Sequence, residues 1–279
     1  QGFKRNFKIK KWVVFDTTKV RREVCHMKKN FLILSVLCVM FLTGCSTDYA
    51  KVCQENIEEY NKKQVKQTEE SEIVDQGKPD NICTLTVDKE QKRVMRKYEQ
   101  EGATTILSQE DGKWYSYVDV GDGNLSKNEE VTLSGEEPLT AADIDISEET
   151  TYTVEGKEKV GEQKAVKVKV TTPVEENIAT EMKENGQITE TLLENEEFKK
   201  AYDDVVNEKE RVSYIWIDTE TKEMIKMETD VTKNKLLLHY YMAAVMEAPT
   251  YEELPSSVTK VVTYSDDDSI DPIELPKEK

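Results

Sequence analysis

Catalysis and metal binding need a few side-chain types at workable spacings, and this chain is poor in them. His239 is its only histidine beyond residue 26, and it sits inside an apolar run. One imidazole cannot build a histidine-cluster metal site, and no nucleophile is spaced to use it as a base. The setting predicts a satisfied core or boundary histidine. Carboxylates abound, but in so acidic a chain their abundance singles out none as catalytic. Asp119 to Glu130 has the length of a calcium loop with acids at its ends, yet Gly121, Gly123 and Asn124 stand where the pattern needs other residues. That stretch and Asp266-Asp267-Asp268 are read as solvated turns, the latter open to adventitious calcium. Gly121 to Ser126 lacks the third glycine of a dinucleotide fingerprint. No Gly-x-Ser-x-Gly, His-Glu-x-x-His or phosphate loop occurs. The expectation is a non-enzyme with no cofactor and no metal. Trp114, Tyr115, Tyr117, Tyr214 and Trp216 could stack on a glycan, but on alternating strands they predict core and rim packing. What remains reactive is sulfur, at Cys45, Cys53 and Cys83.

Cys45 has the most informative context. Residues 1–26 carry eight Lys or Arg against Asp16 and Glu23. Met27-Lys28-Lys29 follows, then an apolar run from Phe31 to Leu42, then Leu42-Thr43-Gly44-Cys45. A charged segment, a short apolar core and small residues before a cut describe a secretory signal. The run is too short to span a bilayer, which takes about 20 apolar residues. Leu-Thr-Gly-Cys resembles the bacterial lipobox. That resemblance implies a diacylglyceryl group on the Cys45 thiol, cleavage between Gly44 and Cys45, and a membrane partner on the extracytoplasmic face. Met27 reads as the initiator, with residues 1–26 an upstream extension and 27–44 the signal peptide. Residues 45–75 are read as anchor, tether and first helix, and 76–279 as the folded domain.

Without the ten basic and two acidic residues before Cys45, 29 Lys and Arg face 54 Asp and Glu, a net charge near −25. Such a surface repels nucleic-acid phosphates, so no nucleic-acid partner is expected. It also repels anionic headgroups, so the domain should stand off the bilayer on its anchor. Cys53 and Cys83 could close a disulfide in an extracytoplasmic domain, stabilising by roughly 3 kcal/mol, or remain two buried thiols.

The elements that must position these residues follow from periodicity. Tyr49, Cys53, Ile57 and Tyr60 predict a helix over 48–66, and the polar stretch from Thr68 to Asp80 predicts a break. Strands are predicted around Cys83–Val87, Val94–Tyr98, Thr105–Leu107, Trp114–Val118, Tyr152–Val154, Val166–Val170, Val212–Ile217, Met224–Val231 and Val258–Tyr264, with Asp111-Gly112 a hairpin turn. Residues 121–150 read as a long loop. Glu190 to Glu208 predicts a helix, and Leu236 to Met246 a buried helix or a strand. The class is α+β, an antiparallel sheet with helices on one side.

Asp111-Gly112-Lys113-Trp114-Tyr115, Tyr152 to Val170, the Tyr214 to Met227 hairpin and the tail Ile273-Glu274-Leu275-Pro276 together resemble the LolA-like lipoprotein-carrier superfamily and related Gram-positive lipoproteins. The resemblance spans about residues 55–276. It implies an incomplete antiparallel β-barrel, a half-barrel with helices packed in or across its concave face, enclosing an apolar cavity for a lipid or other hydrophobic ligand. On that reading Leu236, Leu238, Met242, Met246, Val166, Val168 and Met227 line the cavity. The alternative is a structural or interaction lipoprotein of the envelope whose interior is filled by its own side chains.

Overall fold

Asp48 opens the first helix, α1 (Tyr49–Lys62), by accepting a hydrogen bond from the Lys51 amide. The computed structural model describes residues 47–275 apart from 122, 131–137, 175–176, 247, 249–250 and 265–269. Gly44, Cys45, Asp266-Asp267-Asp268 and Pro276 lie outside the described residues. Cys53, Ile57 and Tyr60 recur at helical spacing on α1 and are its buried face.

Eleven strands form one antiparallel sheet: β1 (Val65–Val74), β2 (Pro79–Asp88), β3 (Arg93–Tyr98), β4 (Thr104–Glu110), β5 (Lys113–Asp119), β6 (Ser126–Glu130), β7 (Thr151–Val160), β8 (Gln163–Pro173), β9 (Glu210–Asp218), β10 (Met224–Asp230) and β11 (Val258–Tyr264). Their order is β6-β5-β4-β3-β2-β1-β11-β10-β9-β8-β7, so the sheet stays open between the edges β6 and β7. This is the expected α+β incomplete barrel. Asp111 (φ 50°) and Gly112 (φ 81°) both adopt left-handed backbone between β4 and β5, as a two-residue hairpin of matching twist requires.

Two of these strands depart from the sequence expectation. β1 occupies the polar stretch expected to be a break, at the centre of the sheet between β2 and β11. The helix before it ends at Lys62 rather than Lys66. β1 escapes a hydrophobic pattern because its helix-side positions Lys66, Thr68, Glu70 and Glu72 are polar, and Lys66, Glu70 and Glu72 find partners in Asp143, Lys260 and Lys235. β6 lies within the expected loop of 121–150, pairing with β5 at an edge where apolar residues are not needed.

Register divides the sheet into two faces. On the helix face, Val166, Val168, Val170, Ile215, Ile217 and Val262 pack with α1 and Ile144 into the main core. Farther along that face Leu85, Val87 and Val94 pack against Ala142, in the segment after the 3-10 turn Pro138–Thr140. The opposite face is covered locally: Ile273 of the tail packs on Ile106 and Tyr117, and Arg93 donates to the Ile273 carbonyl oxygen.

A helical lobe fills the crossovers at one end of the strands. It comprises α2 (Ile178–Glu184), α3 (Glu190–Glu194), α4 (Glu196–Val206) and α5 (Thr232–Val245), gathered around Ala179, Met182, Phe198, Val205 and Leu237. The helix expected over 190–208 is two helices. Asn195 ends α3 with its N–H to Leu192 O and caps α4 by accepting from the Phe198 amide. Among the described residues no helix is long and apolar enough to cross a membrane.

Candidate functional site

Residues 143–147 cross the helix face as a strap, and what they bridge is a cavity. Its volume is about 430 Å³, within the range of small-ligand sites. The strap contributes Asp143, Ile144, Asp145, Ile146 and Ser147; the opposite walls come from β8 to β11 and the first turn of α5.

The strap carries no periodic pattern and is held instead by side chains. Asn61, at the end of α1, donates to the Ile144 carbonyl oxygen at 2.9 Å and accepts from the Ile144 amide at 3.1 Å, so both backbone groups of that residue are satisfied. The Ile144 side chain enters the core beside Val170 and Ile215. Asp143 pairs with Lys66 and, at 3.5 Å, with Lys89. The Lys66 side chain is wholly buried; its ammonium donates to the Asn61 carbonyl oxygen at 3.3 Å and lies 5.4 Å from the Tyr60 ring. Burial, then the neighbouring Lys89 ammonium, pull Lys66 down to about 7.

The strand register builds a gradient of polarity into the cavity. Val168, Ile215, Met227 and Val262 form an apolar row across β8–β11. One step toward the lobe the row is Val170, Ser213, Thr229 and Lys260, and beyond it Thr172 pairs with Arg211. The Ser213 and Thr229 hydroxyls are 2.7 Å apart and bond to each other. Lys260 pairs with Glu70 at 2.9 Å. Arg211 approaches Asp145 at 3.7 Å, too long for a hydrogen bond, and the Asp145 side chain is 69% exposed. Asn234, on the first turn of α5, has a buried side-chain oxygen without a partner among the described residues.

Of the expected lining residues, Met227 is in the cavity wall. Val166 and Val168 lie deeper, closed into the core beneath α1. Leu238 packs in the helical lobe with Leu237, Leu236 and Met242 are half-buried on α5, and Met246 is 61% exposed. The apolar run therefore builds the lobe that closes one end of the half-barrel; α5 reaches the cavity through Asn234, outside that run. The strap and the hydroxyl–lysine row are the parts that sequence reasoning missed.

Cys53 and Cys83 are free, buried thiols rather than a disulfide. Cys53 is closed into the core beneath α1, whereas Cys83 sits on β2 opposite Glu70 and Tyr98. Desolvation pushes the Cys53 thiol up to about 12 and raises Cys83 as well. His239 is buried, accepts from the Tyr251 amide at 3.2 Å through Nδ1 and stacks on the Tyr251 ring. Asp119 accepts from the Gly121 and Gly123 amides, which makes it a turn former. Tyr115 and Tyr117 pack with Ile106 beneath the tail, and Tyr214 and Trp216 with Ala165 and Ile225, all on the face away from the cavity. Trp114 is half-buried on β5.

No family model matches the chain, and no curated protein matches it. Among solved structures it is similar to the lipoprotein LppX of Mycobacterium tuberculosis, at 11% identity and a TM-score of 0.43, over 81% of this chain and 98% of that one. It is similar to LprF of Mycobacterium bovis at 11% identity and 0.42, over 83% and 97%. A LolA-superfamily protein of Nitrosomonas europaea matches at 10% identity and 0.26, over 79% and 93%.

Proposed function

We propose that this protein is a non-enzymatic lipoprotein, anchored through a diacylglyceryl group on Cys45 at the extracytoplasmic face of the cell membrane, that holds a hydrophobic or amphipathic ligand in its half-barrel cavity. The observation that carries the reading is the cavity beneath the strap, with Ile144, Ile146, Val170 and Met227 on its apolar side and a few polar groups above them. The walls support binding rather than catalysis. Of the four hydroxyl side chains that line the cavity, Ser213 and Thr229 bond each other, Thr172 donates to the Asp145 carbonyl oxygen and Ser147 accepts from the Glu149 amide. No imidazole stands among the lining residues to activate any of them. The second reading, a filled interior, draws on the other half of the helix face, where Leu85, Val87, Val94 and Ala142 pack directly together.

Native mass spectrometry with lipid extraction, on lipoprotein purified from bacterial membranes, tests the two. A stoichiometric co-purifying lipid, lost in Met227→Glu, is expected. A clean apo mass that takes up no added lipid would favour the filled half-barrel and a protein partner.

A further inference from the structure

The polarity gradient across the strand rows has a direction, and its outermost member is a guanidinium. Resting on the cavity reading above, we propose that the ligand is a monoanionic amphiphile, its carboxylate or phosphodiester held by Arg211 at the lobe end and its chain laid against Met227, Val170, Ile144 and Ile146.

Three observations carry this. First, the cations around the cavity differ in how firmly they are engaged. Lys66 is buried against Asp143, and Lys260 is paired with the largely buried Glu70 at 2.9 Å. Arg211 alone among these three has a partner that is both mostly exposed and beyond hydrogen-bonding distance. Its N–H fork makes no hydrogen bond among the described residues, and that fork matches a planar carboxylate or a phosphate in two-point contact. Asp145 can swing into solvent when such a group arrives, at little cost for so exposed a pair.

Second, the polar groups between Arg211 and the apolar row are neutral apart from Lys260, which Glu70 already engages. The Ser213–Thr229 hydroxyl pair shares one proton between two oxygens and leaves the other proton able to donate. The Asn234 amide, whose oxygen is buried without a partner among the described residues, stands at the same end of the cavity. A head group that carries hydroxyls or ester oxygens would meet both. Third, the acidic character of the whole chain sets the charge of the head. A protein near −17 over its full length opposes a dianion more strongly than a monoanion, so a local guanidinium favours a single negative charge.

Free fatty acids and anionic phospholipids share this chemistry, and the test separates them. Native mass spectrometry of the intact mature lipoprotein, released from detergent micelles, would compare occupancy by palmitate, hexadecanol and phosphatidylglycerol. Palmitate is expected to exceed hexadecanol by about tenfold in apparent affinity, a factor that one charge-assisted contact can supply. Arg211→Gln should lower palmitate to the level of hexadecanol, Arg211→Lys should restore part of the difference, and Met227→Glu should remove both adducts. Thermal melts of each variant check that it folds. Phosphatidylglycerol above palmitate, with the same loss in Arg211→Gln, would identify the head as a membrane phosphodiester. Equal uptake of palmitate and hexadecanol by the unaltered protein, or a preference untouched by Arg211→Gln, would overturn the assignment of the head group and leave the cavity reading standing. Uptake of none of the three would defeat the cavity reading itself.

Discussion

Lys66 is the residue at which burial and charge conflict most sharply. Its ammonium is enclosed by Asp143, Lys89, the Tyr60 ring and the Asn61 carbonyl. Burial brings it from 10.5 to about 7. Between those two values the unfolded chain keeps a proton that the folded chain has released, so stability rises with pH through that window. Buried acids work the other way at the upper end. Cys53, raised from 9.0 to about 12, stays protonated in the fold when the unfolded chain has lost its proton. Tyr264 is likewise held far above its usual value by burial. Urea unfolding is therefore expected to give stability that climbs from pH 7 to about 9 and then flattens or falls, and Lys66→Met should remove the climb. A flat profile in the unaltered protein would show that Lys66 keeps its proton in the fold. The two thiols give a companion test. Thiolate is the reactive form and both are buried, so an alkylating reagent at pH 8 should modify neither Cys53 nor Cys83 until urea unfolds the chain, with or without prior reduction.

At the level of elements, two asparagines of α1 tie it to the sheet on one side and to the strap on the other. Asn56 donates to Val52 O and Lys222 O and accepts from the Met224 amide, which ties α1 to the β9–β10 turn. Asn61 does the same for the strap through Ile144. Asn61→Ala strands an amide and a carbonyl at the half-buried junction, at a cost of about 1–3 kcal/mol. The loss should be local: hydrogen exchange at Ile144 accelerates while that of Ile215 and Val168 stays with global unfolding. Ile57→Ala is the contrasting change. Its side chain is fully buried in the main core, so truncation should cost about 2–5 kcal/mol and lower the whole unfolding transition. These contrasts also explain what the sequence disclosed. α1, β2–β5 and β7–β11 repeat apolar residues at a period set by the element that buries them, and a period can be read without coordinates. β1 could not be read that way, because Lys66, Glu70 and Glu72 take their partners from Asp143, Lys260 and Lys235, far off in the chain. The strap has no period at all, and the cavity it covers is created by long-range contacts. The Leu236–Met246 run was legible as a buried helix or a strand, and apolarity alone said neither which it was nor that its face belonged to the lobe.

At the scale of the molecule, an open sheet has to guard two edges while the charge guards the surface. β7 is exposed along nearly its whole length, and Glu155, Lys157, Glu158 and Lys159 stand on it, a charged edge that discourages pairing with another sheet. The same excess of acid bears on how the proposed lipoprotein would meet a membrane. Counted from Cys45, the chain carries about 25 more acidic than basic side chains. Attraction to an anionic bilayer needs clustered Lys and Arg, each contributing about 1 kcal/mol near the surface, and this composition works in the opposite sense. Two acyl chains on one cysteine anchor stably without electrostatic help. In vesicle flotation the lipid-bearing protein should therefore rise with phosphatidylcholine and with phosphatidylglycerol vesicles alike, at low and at high salt. A Cys45→Ser form should stay at the bottom of the gradient with both. If the Cys45→Ser form rose with phosphatidylglycerol at low salt and was released by added salt, a basic patch would be meeting the bilayer, and the picture of a domain standing off on its anchor would be wrong. If it rose with both lipids at every salt concentration, exposed apolar residues such as Val245, Met246 and Leu254 would be inserting, and the helical lobe would be the surface to alter next.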